Sequence, residues 1–291
     1  MLNPTAAQKT VVIGLDGTML SHIKTADAPN LHKLIAEGTS GESSILGHAT
    51  ISGPSWSTIL TGVWDTKHGV KDNSFVGARY DLYPTVFTQI EAAKPALLTE
   101  SISTWGGIDN IASSGTPKAD LVVTTPDAGS VAATDIATAD AVAAAITDRG
   151  PDLIFTQLDQ VDGAGHDAGT NGPGYDKGIA SVDVEVGKIV DAVDARAAKT
   201  GEQWTVLVTA DHGHKPTGGH GGQSPAEATT FVIARGAGYT VGKTGDYAIA
   251  DITPTVLQSL GLALPANLDG KPLPKEAPGF VGSIDLGFFG S

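Results

Sequence analysis

The side chains of this 291-residue sequence that are best suited to bind metal ions fall in three short segments. These segments are VVIGLDGTML, DGAGH and TADHGHKPTGGHGG. Their carboxylates and imidazoles are Asp16, Asp162, His166, Asp211, His212 and His220. Zinc binds such ligands in proteins, and two zinc ions about 3.5–4 Å apart can stabilise both the attacking and the leaving oxygen of a phosphoryl transfer. The residue types and spacings therefore predict a two-metal site that hydrolyses phosphate esters.

A candidate nucleophile lies in the segment HATISGPSWSTILTGVWDTKHGVKDNS. Ser52 lies just before Gly53 and Pro54, and residues 57–61 then have the pattern of the start of a helix with a proline permitted in its first turn. Such a start directs a hydroxyl and free backbone N–H groups towards one point, where the helix dipole favours an anion. Alternatively, the local hydroxyls only cap the helix, as Ser and Thr often do; these hydroxyls belong to Thr50, Ser52, Ser55 and Ser57. The position of Ser52 among the ligand segments favours the catalytic interpretation.

The elements that must position these side chains are predicted from short β-branched runs that alternate with amphipathic segments. Strands are predicted at residues 11–15, 153–158, 205–209 and 230–234, and helices at residues 132–147 and 179–198. The alternation is typical of an α/β fold with a mostly parallel central sheet and helices on both faces. The first three strands each lead into a candidate ligand segment. Open α/β sheets place their sites outside the carboxyl ends of the strands, so we expect the site there.

The composition limits the partners of the protein. The chain has 32 acidic and 18 basic residues and a net charge of −14, which opposes binding to nucleic acid polymers or anionic membranes. No apolar run reaches the ~18 residues of a membrane span, and residues 1–10 lack the apolar core of a signal peptide. We therefore expect a small phosphate ester as the partner and no membrane insertion. The absence of cysteine excludes thiolate ligands and slightly favours a periplasmic or secreted location.

The order and spacing of the segments resemble the alkaline phosphatase superfamily, and within it the type I phosphodiesterase and nucleotide pyrophosphatase group. The resemblance runs from VVIGLDG to the tail DITPTVLQSLGLALPANLDGKPL and includes TGVWDTKHGVKDNS. It implies an alkaline-phosphatase-like fold that binds two zinc ions. One ion would be held by Asp16, Ser52, Asp211 and His212, and the other by Asp162 and His166 from a ligand loop and by His220. The implied reaction is hydrolysis of a phosphate diester through a phosphoserine intermediate on Ser52.

Two positions depart from the resembled group. The nucleophile is Ser52 where that group usually has Thr, which is a mild chemical change. The resemblance also implies an Asn that holds the phosphoryl oxygen, and three positions after the nucleophile this sequence has Ser55. Asn73 and the backbone N–H of Gly53 are the candidate substitutes, although Asn73 also fits a plain turn in the segment DNS. We therefore take Gly53, Ser55 and Asn73 as candidate substrate-binding residues.

Other functions remain open from the sequence. A phosphomonoesterase or a phosphonate hydrolase of the same superfamily would use the same ligands. A sulfatase is disfavoured because Trp56 stands where its Ser/Cys-x-Pro-x-Arg signature requires Arg. A non-catalytic metal-binding module is disfavoured because structural zinc sites fill all four positions with protein ligands, and the second predicted site has only three.

The whole chain, residues 1–291, is expected to form one domain. Residues 84–131 are less regular and rich in Ser, Thr, Gly and Pro, which predicts a small lid or substrate-shaping insertion. The aromatic side chains considered for a pocket are Trp56, Phe75, Tyr80 and Trp105, although such residues more often belong to the core. His68 is expected to hold its own loop. His214 is expected either to support the site or to be exposed, and the oligomeric state is left open.

Overall fold

The computed structural model describes residues 6–242 and 245–275, whose strands form one seven-stranded sheet. In chain order the strands are β1 (Gln8–Leu15), β2 (Thr39–Ser44), β3 (Thr99–Ser103), β4 (Leu121–Thr124), β5 (Leu153–Leu158), β6 (Gln203–Thr209) and β7 (Thr229–Arg235). Across the sheet the order is β2-β7-β6-β1-β5-β3-β4. Only β7 runs antiparallel to its neighbours among these strands, so the predicted mostly parallel sheet is confirmed.

Helices cover both faces of this sheet. In chain order they are α1 (Leu20–Ile23), α2 (Pro29–Glu37), α3 (Ser52–Thr61), α4 (Asp65–His68), α5 (Val86–Ala93), α6 (Gly107–Ala112), α7 (Val131–Asp148), α8 (Gln160–Ala168), α9 (Pro173–Thr200), α10 (Pro225–Ala228) and α11 (Ile252–Ser259). A short 3₁₀ turn, Ile249–Asp251, precedes α11. None of the described helices is long and apolar enough to cross a membrane.

Strand β1 lies near the centre of the sheet and separates two hydrophobic cores. Because side chains alternate along a strand, Val11 and Ile13 enter the core beneath α7 and α9, whereas Val12 enters the core that contains Trp56 of α3. Val11, Val12 and Ile13 are all at most 1% exposed, as expected for a strand covered on both faces.

The register brings the carboxyl ends of three neighbouring strands to one edge of the sheet. Leu15 of β1 pairs with Leu158 of β5, and Gly14 pairs with Thr209 of β6. The residues that follow these strands are therefore neighbours in space, although they are far apart in the sequence. The predicted ligand segments begin at this edge.

The structure refines two expectations about local elements. Residues 84–131 contain α5, β3, α6 and β4, and the two strands belong to the central sheet. Strand β3 escaped prediction because four of its five buried residues are polar, for example Glu100, which pairs with Arg149. The segment DGAGH, expected as a loop, lies in α8, where a spacing of four residues puts Asp162 and His166 on one helix face.

Candidate metal centre

The predicted ligands form two adjacent clusters at the carboxyl edge of the sheet. The inner cluster consists of Asp16, Ser52, Asp211 and His212, and the outer cluster consists of Asp162, His166 and His220. Ligand atoms of the inner Asp16, Asp211 and His212 lie within 4.8 Å of one another, and so do those of the three outer residues. The structure therefore brings together each ligand set that the sequence predicts.

The two inner carboxylates each use one oxygen within the protein and leave the other without a partner. Asp16 Oδ2 accepts hydrogen bonds from Trp56 Nε1 and Gln157 Nε2, both at 2.9 Å. Asp211 Oδ1 accepts one from the backbone N–H of Gly17 at 3.1 Å. Asp16 Oδ1 and Asp211 Oδ2 are buried and have no hydrogen-bond partner among the described residues. Such orphaned oxygens are costly to bury, and a cation between them would satisfy both.

The electrostatics of these carboxylates also fit a metal site. Burial is the largest cause that raises the pKa of Asp211, to about 8, and it raises the pKa of Asp16 well above its ordinary value. Repulsion from Asp211 and then from Asp162 raises the pKa of Asp16 further. A divalent cation would stabilise the charged carboxylates and reverse both shifts.

His212 presents a lone pair to the inner cluster. Its Nδ1 lies 3.2 Å from the Gly213 carbonyl, which accepts a hydrogen bond only if Nδ1 carries the proton, so Nε2 is left unprotonated. His212 Nε2 lies 3.2 Å from Asp211 Oδ2, 3.6 Å from Asp16 Oδ1 and 3.4 Å from Ser52 Oγ. Burial lowers the pKa of His212 well below its ordinary value, and the neutral imidazole is the form that binds metals.

Ser52 is the first residue of α3, so the helix begins earlier than the predicted residues 57–61. The neighbouring substrate-binding candidates differ in whether they keep a free hydrogen-bond donor. The N–H of Gly53 donates to Asn73 Oδ1 at 2.7 Å, and the hydroxyl of Ser55 donates to the Ala49 carbonyl at 3.1 Å. Both donors are thus used inside the protein. The Gly53 contact fixes the orientation of the Asn73 amide, whose Nδ2 makes no hydrogen bond to the described residues. Asn73 is therefore the candidate that retains a donor for substrate.

The outer cluster is more exposed and consists mainly of imidazoles. His166 and His220 bring their Nε2 atoms to 3.0 Å from each other, and each Nε2 lies 3.5 Å from an oxygen of Asp162. Ligand atoms that share a tetrahedral zinc at about 2.0–2.1 Å are about 3.3 Å apart, so the spacing fits one ion. His220 Nδ1 donates to the Thr50 carbonyl at 2.8 Å, which directs the lone pair of Nε2 into the cluster.

His214 contacts the carboxylate of Asp162 in the outer cluster from the protein interior. Its ring is fully buried, and Nε2 lies 2.9 Å from Asp162 Oδ1. A Cβ atom at Gly17 or at Gly165 would come within 2.5 Å of the ring, so both positions require glycine. His214 is therefore a buried support of Asp162, which resolves the two roles that the sequence left open.

Gln157 is a site residue that the sequence analysis missed. Its Nε2 donates to Asp16 Oδ2 and to Asp159 Oδ1, both at 2.9 Å, and its Oε1 accepts from the backbone N–H of Trp105 at 2.9 Å. The available signal was one amide, after a threonine, near the end of the buried strand LIFTQL. Trp56, considered as a pocket residue, is instead fully buried and holds Asp16.

A sequence model of the family described as type I phosphodiesterase / nucleotide pyrophosphatase matches residues 10–255. Curated relatives include 2,3-bisphosphoglycerate-independent phosphoglycerate mutase from Shewanella sp. (strain W3-18-1), which is 31% identical over 140 residues, or 46% of this chain and 25% of the mutase. The mutase from Shewanella baltica (strain OS185) is 32% identical with the same coverage. The matched part of the chain thus spans about a quarter of the length of these relatives.

Solved structures with a similar fold include murine ectonucleotide pyrophosphatase / phosphodiesterase 5, with a TM-score of 0.72 and 15% identity, covering 89% of this chain and 97% of that chain. The 2-O GAG sulfatase BT1596 has a TM-score of 0.69 and 14% identity, covering 92% of this chain and 73% of that chain. These similarities confirm the alkaline-phosphatase-like fold. The family match covers most of the chain, and the protein therefore belongs to the type I phosphodiesterase / nucleotide pyrophosphatase family.

Proposed function

We propose that this protein is a two-zinc phosphodiesterase that cleaves small nucleotide-like or head-group-like diesters through a phosphoserine intermediate. The observation that carries the proposal is the position of Ser52 Oγ, 3.4 Å from His212 Nε2 and at the first residue of α3. A hydroxyl nucleophile, a cluster of metal ligands and a helix N-terminus thus coincide at one point.

Zinc suits the donor set of both clusters better than a hard cation does. Each cluster contains imidazole nitrogen, whereas magnesium and calcium prefer oxygen ligands. The outer cluster has three protein ligands, which leaves one position of a four-coordinate zinc open. When bound, the ions would act as Lewis acids that stabilise negative charge on the attacking and leaving oxygens.

The residues of the chain would act in two steps. Ser52 Oγ attacks phosphorus, a new P–O bond forms, and the bond to the leaving alcohol breaks. Water then attacks the phosphoserine, which releases a phosphate monoester and restores the serine hydroxyl. We propose that Asn73 Nδ2 donates a hydrogen bond to a non-bridging phosphoryl oxygen, because the N–H of Gly53 fixes the Asn73 amide beside the nucleophile.

The pairing of the arginines supports a diester rather than a monoester. A monoester is a dianion at neutral pH and needs a further cation, commonly Arg with its two-pronged guanidinium group. The guanidinium group of Arg79 donates to the Thr66 carbonyl at 2.6 Å. The other arginines form ion pairs elsewhere: Arg149 with Glu100, Arg196 with Glu202 and Arg235 with Asp194.

A pair of aromatic rings supports an aryl or nucleoside group on the substrate. The ring centroids of Phe75 and Trp105 lie 6.1 Å apart, and both side chains are partly exposed. Phe75 follows Asn73 by two residues and has a φ of 58°, a conformation that bulky residues adopt rarely and mostly at functional sites. Trp105 is tied through Gln157 to Asp16. In keeping with this assignment, an inactive variant of murine ectonucleotide pyrophosphatase / phosphodiesterase 5 was solved in complex with AMP.

The diester preference is tested by comparing kcat/KM for bis-p-nitrophenyl phosphate with kcat/KM for p-nitrophenyl phosphate at matched pH. We expect the diester to be favoured by about tenfold or more, because two cations and a helix N-terminus already balance its single charge. Arg79→Ala is the matched variant, and its ratio should equal that of the wild type. A strong monoester preference that disappears in Arg79→Ala would make the protein a phosphomonoesterase instead.

A further inference from the structure

We infer that Thr50 is a positioning residue that holds His220 in the outer cluster and ties it to the loop that leads to Ser52. Thr50 lies two residues before the nucleophile and is fully buried. The inference rests on the proposed two-metal site, because it concerns how one ligand of that site is held.

Thr50 makes three hydrogen bonds to consecutive residues of the loop that carries His220. Its carbonyl accepts from His220 Nδ1 at 2.8 Å. Its hydroxyl oxygen accepts from the N–H of Gly221 at 3.0 Å and donates to the carbonyl of Gly222 at 2.8 Å. One residue thus orients the imidazole directly and also fixes the backbone that follows it.

Neighbouring contacts close the same two loops on either side of Thr50. The side chain of Gln223 accepts from the N–H of Gly47 at 2.8 Å and donates to the His48 carbonyl at 2.7 Å. The buried carboxylate of Glu227 accepts from the N–H of Gly222 at 2.7 Å. The loop is therefore held from two directions, and the hydroxyl of Thr50 is its buried contact with the nucleophile loop.

The chemistry of a histidine ligand explains why this arrangement matters. A neutral imidazole binds a metal through one nitrogen, and the hydrogen bond made by the other nitrogen fixes its tautomer and ring direction. The glycines beside His220 offer no side chains to hold the loop. Gly219 and Gly221 have φ angles of 76° and 104°, a region that favours glycine, and without a Cβ their backbone can adopt many other conformations. Removing the Thr50 hydroxyl would leave the Gly221 N–H and the Gly222 carbonyl without this partner and would loosen His220.

The test is a zinc titration of the full-length protein against a competing chromophoric chelator. The variants are Thr50→Val, Thr50→Ser and, as a matched control, Thr255→Val. Thr255 is also a buried threonine, whose hydroxyl donates to the Asp251 carbonyl at 2.6 Å and accepts from the N–H of Leu273 at 2.9 Å. We expect Thr50→Val to weaken the binding of one of the two zinc ions by about 10- to 100-fold and to leave the affinity for the other unchanged. Losses of this size are typical when a residue that supports a metal ligand is replaced. Thr50→Ser and Thr255→Val should match the wild type.

Wild-type affinity for both ions in Thr50→Val would overturn the inference, and so would an equal loss in Thr255→Val. If Thr50→Val does not fold, Gln223→Ala removes the neighbouring contacts between the same two loops, and it should weaken the binding of the same single ion less strongly. Unchanged binding in that variant would then overturn the inference. A wild-type protein that binds fewer than two ions would instead contradict the proposed function itself.

Discussion

The inner and outer clusters share carboxylate and imidazole donors, but the fold holds them in different surroundings. Every inner side chain is at most 8% exposed, whereas the side chain of His166 in the outer cluster is 51% exposed. Burial raises the pKa of Asp211 to about 8. Burial acts in the same direction on Asp162, but the hydrogen bond from His214 and the nearby imidazoles outweigh it and lower its pKa. The fold therefore imposes an electrostatic cost on the inner carboxylates that it does not impose on Asp162.

The difference indicates how each cluster depends on its ion. Three inner ligands, Asp16, Asp211 and His212, follow buried strands, and a cation would relieve the repulsion between Asp16 and Asp211. The outer ligands come from the surface helix α8 and a glycine-rich loop, so their geometry depends on hydrogen bonds such as that of Thr50. We therefore expect the inner ion to bind more tightly and the outer ion to exchange more readily.

The largest expected effect tests whether the inner cluster carries the nucleophile. Ser52→Ala should lower kcat by about 10⁴-fold or more, because the covalent pathway is lost. Zinc content should stay largely intact, since three protein ligands remain around the inner ion. Steady-state kinetics with a diester and metal analysis of the same sample measure both quantities.

Ser55→Ala is the matched control for this variant, because the Ser55 hydroxyl belongs to the same helix but donates to Ala49. It should retain most of the activity, whereas loss of a single oxyanion donor would cost about 10²–10³ in rate. Equal losses in the two variants would show that Ser52 has been assigned wrongly. Near-normal activity in Ser52→Ala would require direct attack by water.

A smaller effect, on stability, tests the electrostatic contrast between the clusters. The pKa of Asp211 is raised in the folded state, so metal-free folded protein keeps a proton that the unfolded chain releases above about pH 4. The metal-free protein therefore loses part of its free energy of unfolding as pH rises towards the folded pKa of Asp211, about 8. Asp211→Asn removes this cost, and its gain in Tm over the wild type should grow from about pH 5 to about pH 8 in the presence of a chelator.

Asp162→Asn should behave in the opposite way. The lowered pKa of Asp162 contributes stability above its unfolded pKa, and that stability is lost as pH falls through the folded pKa. The variant should therefore gain no stability at neutral pH. A gain in Tm that grows with pH in Asp162→Asn would contradict the proposed contrast between the clusters. The absence of such a gain in Asp211→Asn would contradict it as well.

The sequence predicts those parts of the fold in which local patterns are strong. The β-branched runs of β1, β5, β6 and β7 and the amphipathic helices α7 and α9 are confirmed. Strand β3 was missed because its buried polar side chains, such as Thr99 and Glu100, find partners that only the tertiary structure supplies. The predicted single domain and the periplasmic or secreted location stay predictions.

In the site, too, the sequence predicts the metal ligands but not the residues that hold them in place. Asp and His at characteristic spacings identify the ligand segments, because metal chemistry restricts the residue types. Gln157 and Thr50 belong to no such sequence motif, since any suitably placed buried amide or hydroxyl can make the same hydrogen bonds. Their roles become visible only when strands and loops from distant parts of the chain are in contact.

The zinc content of wild type, Asp211→Ala and His166→Ala, measured by elemental analysis after mild dialysis, tests the two-cluster account most directly. We predict two ions per chain in the wild type and one in each variant, because each substitution removes a ligand of a different cluster. His166→Ala should retain the more tightly bound ion, and both variants should lose turnover while remaining folded. A wild-type protein that holds a single calcium or magnesium, with no zinc recovered on reconstitution, would contradict the account.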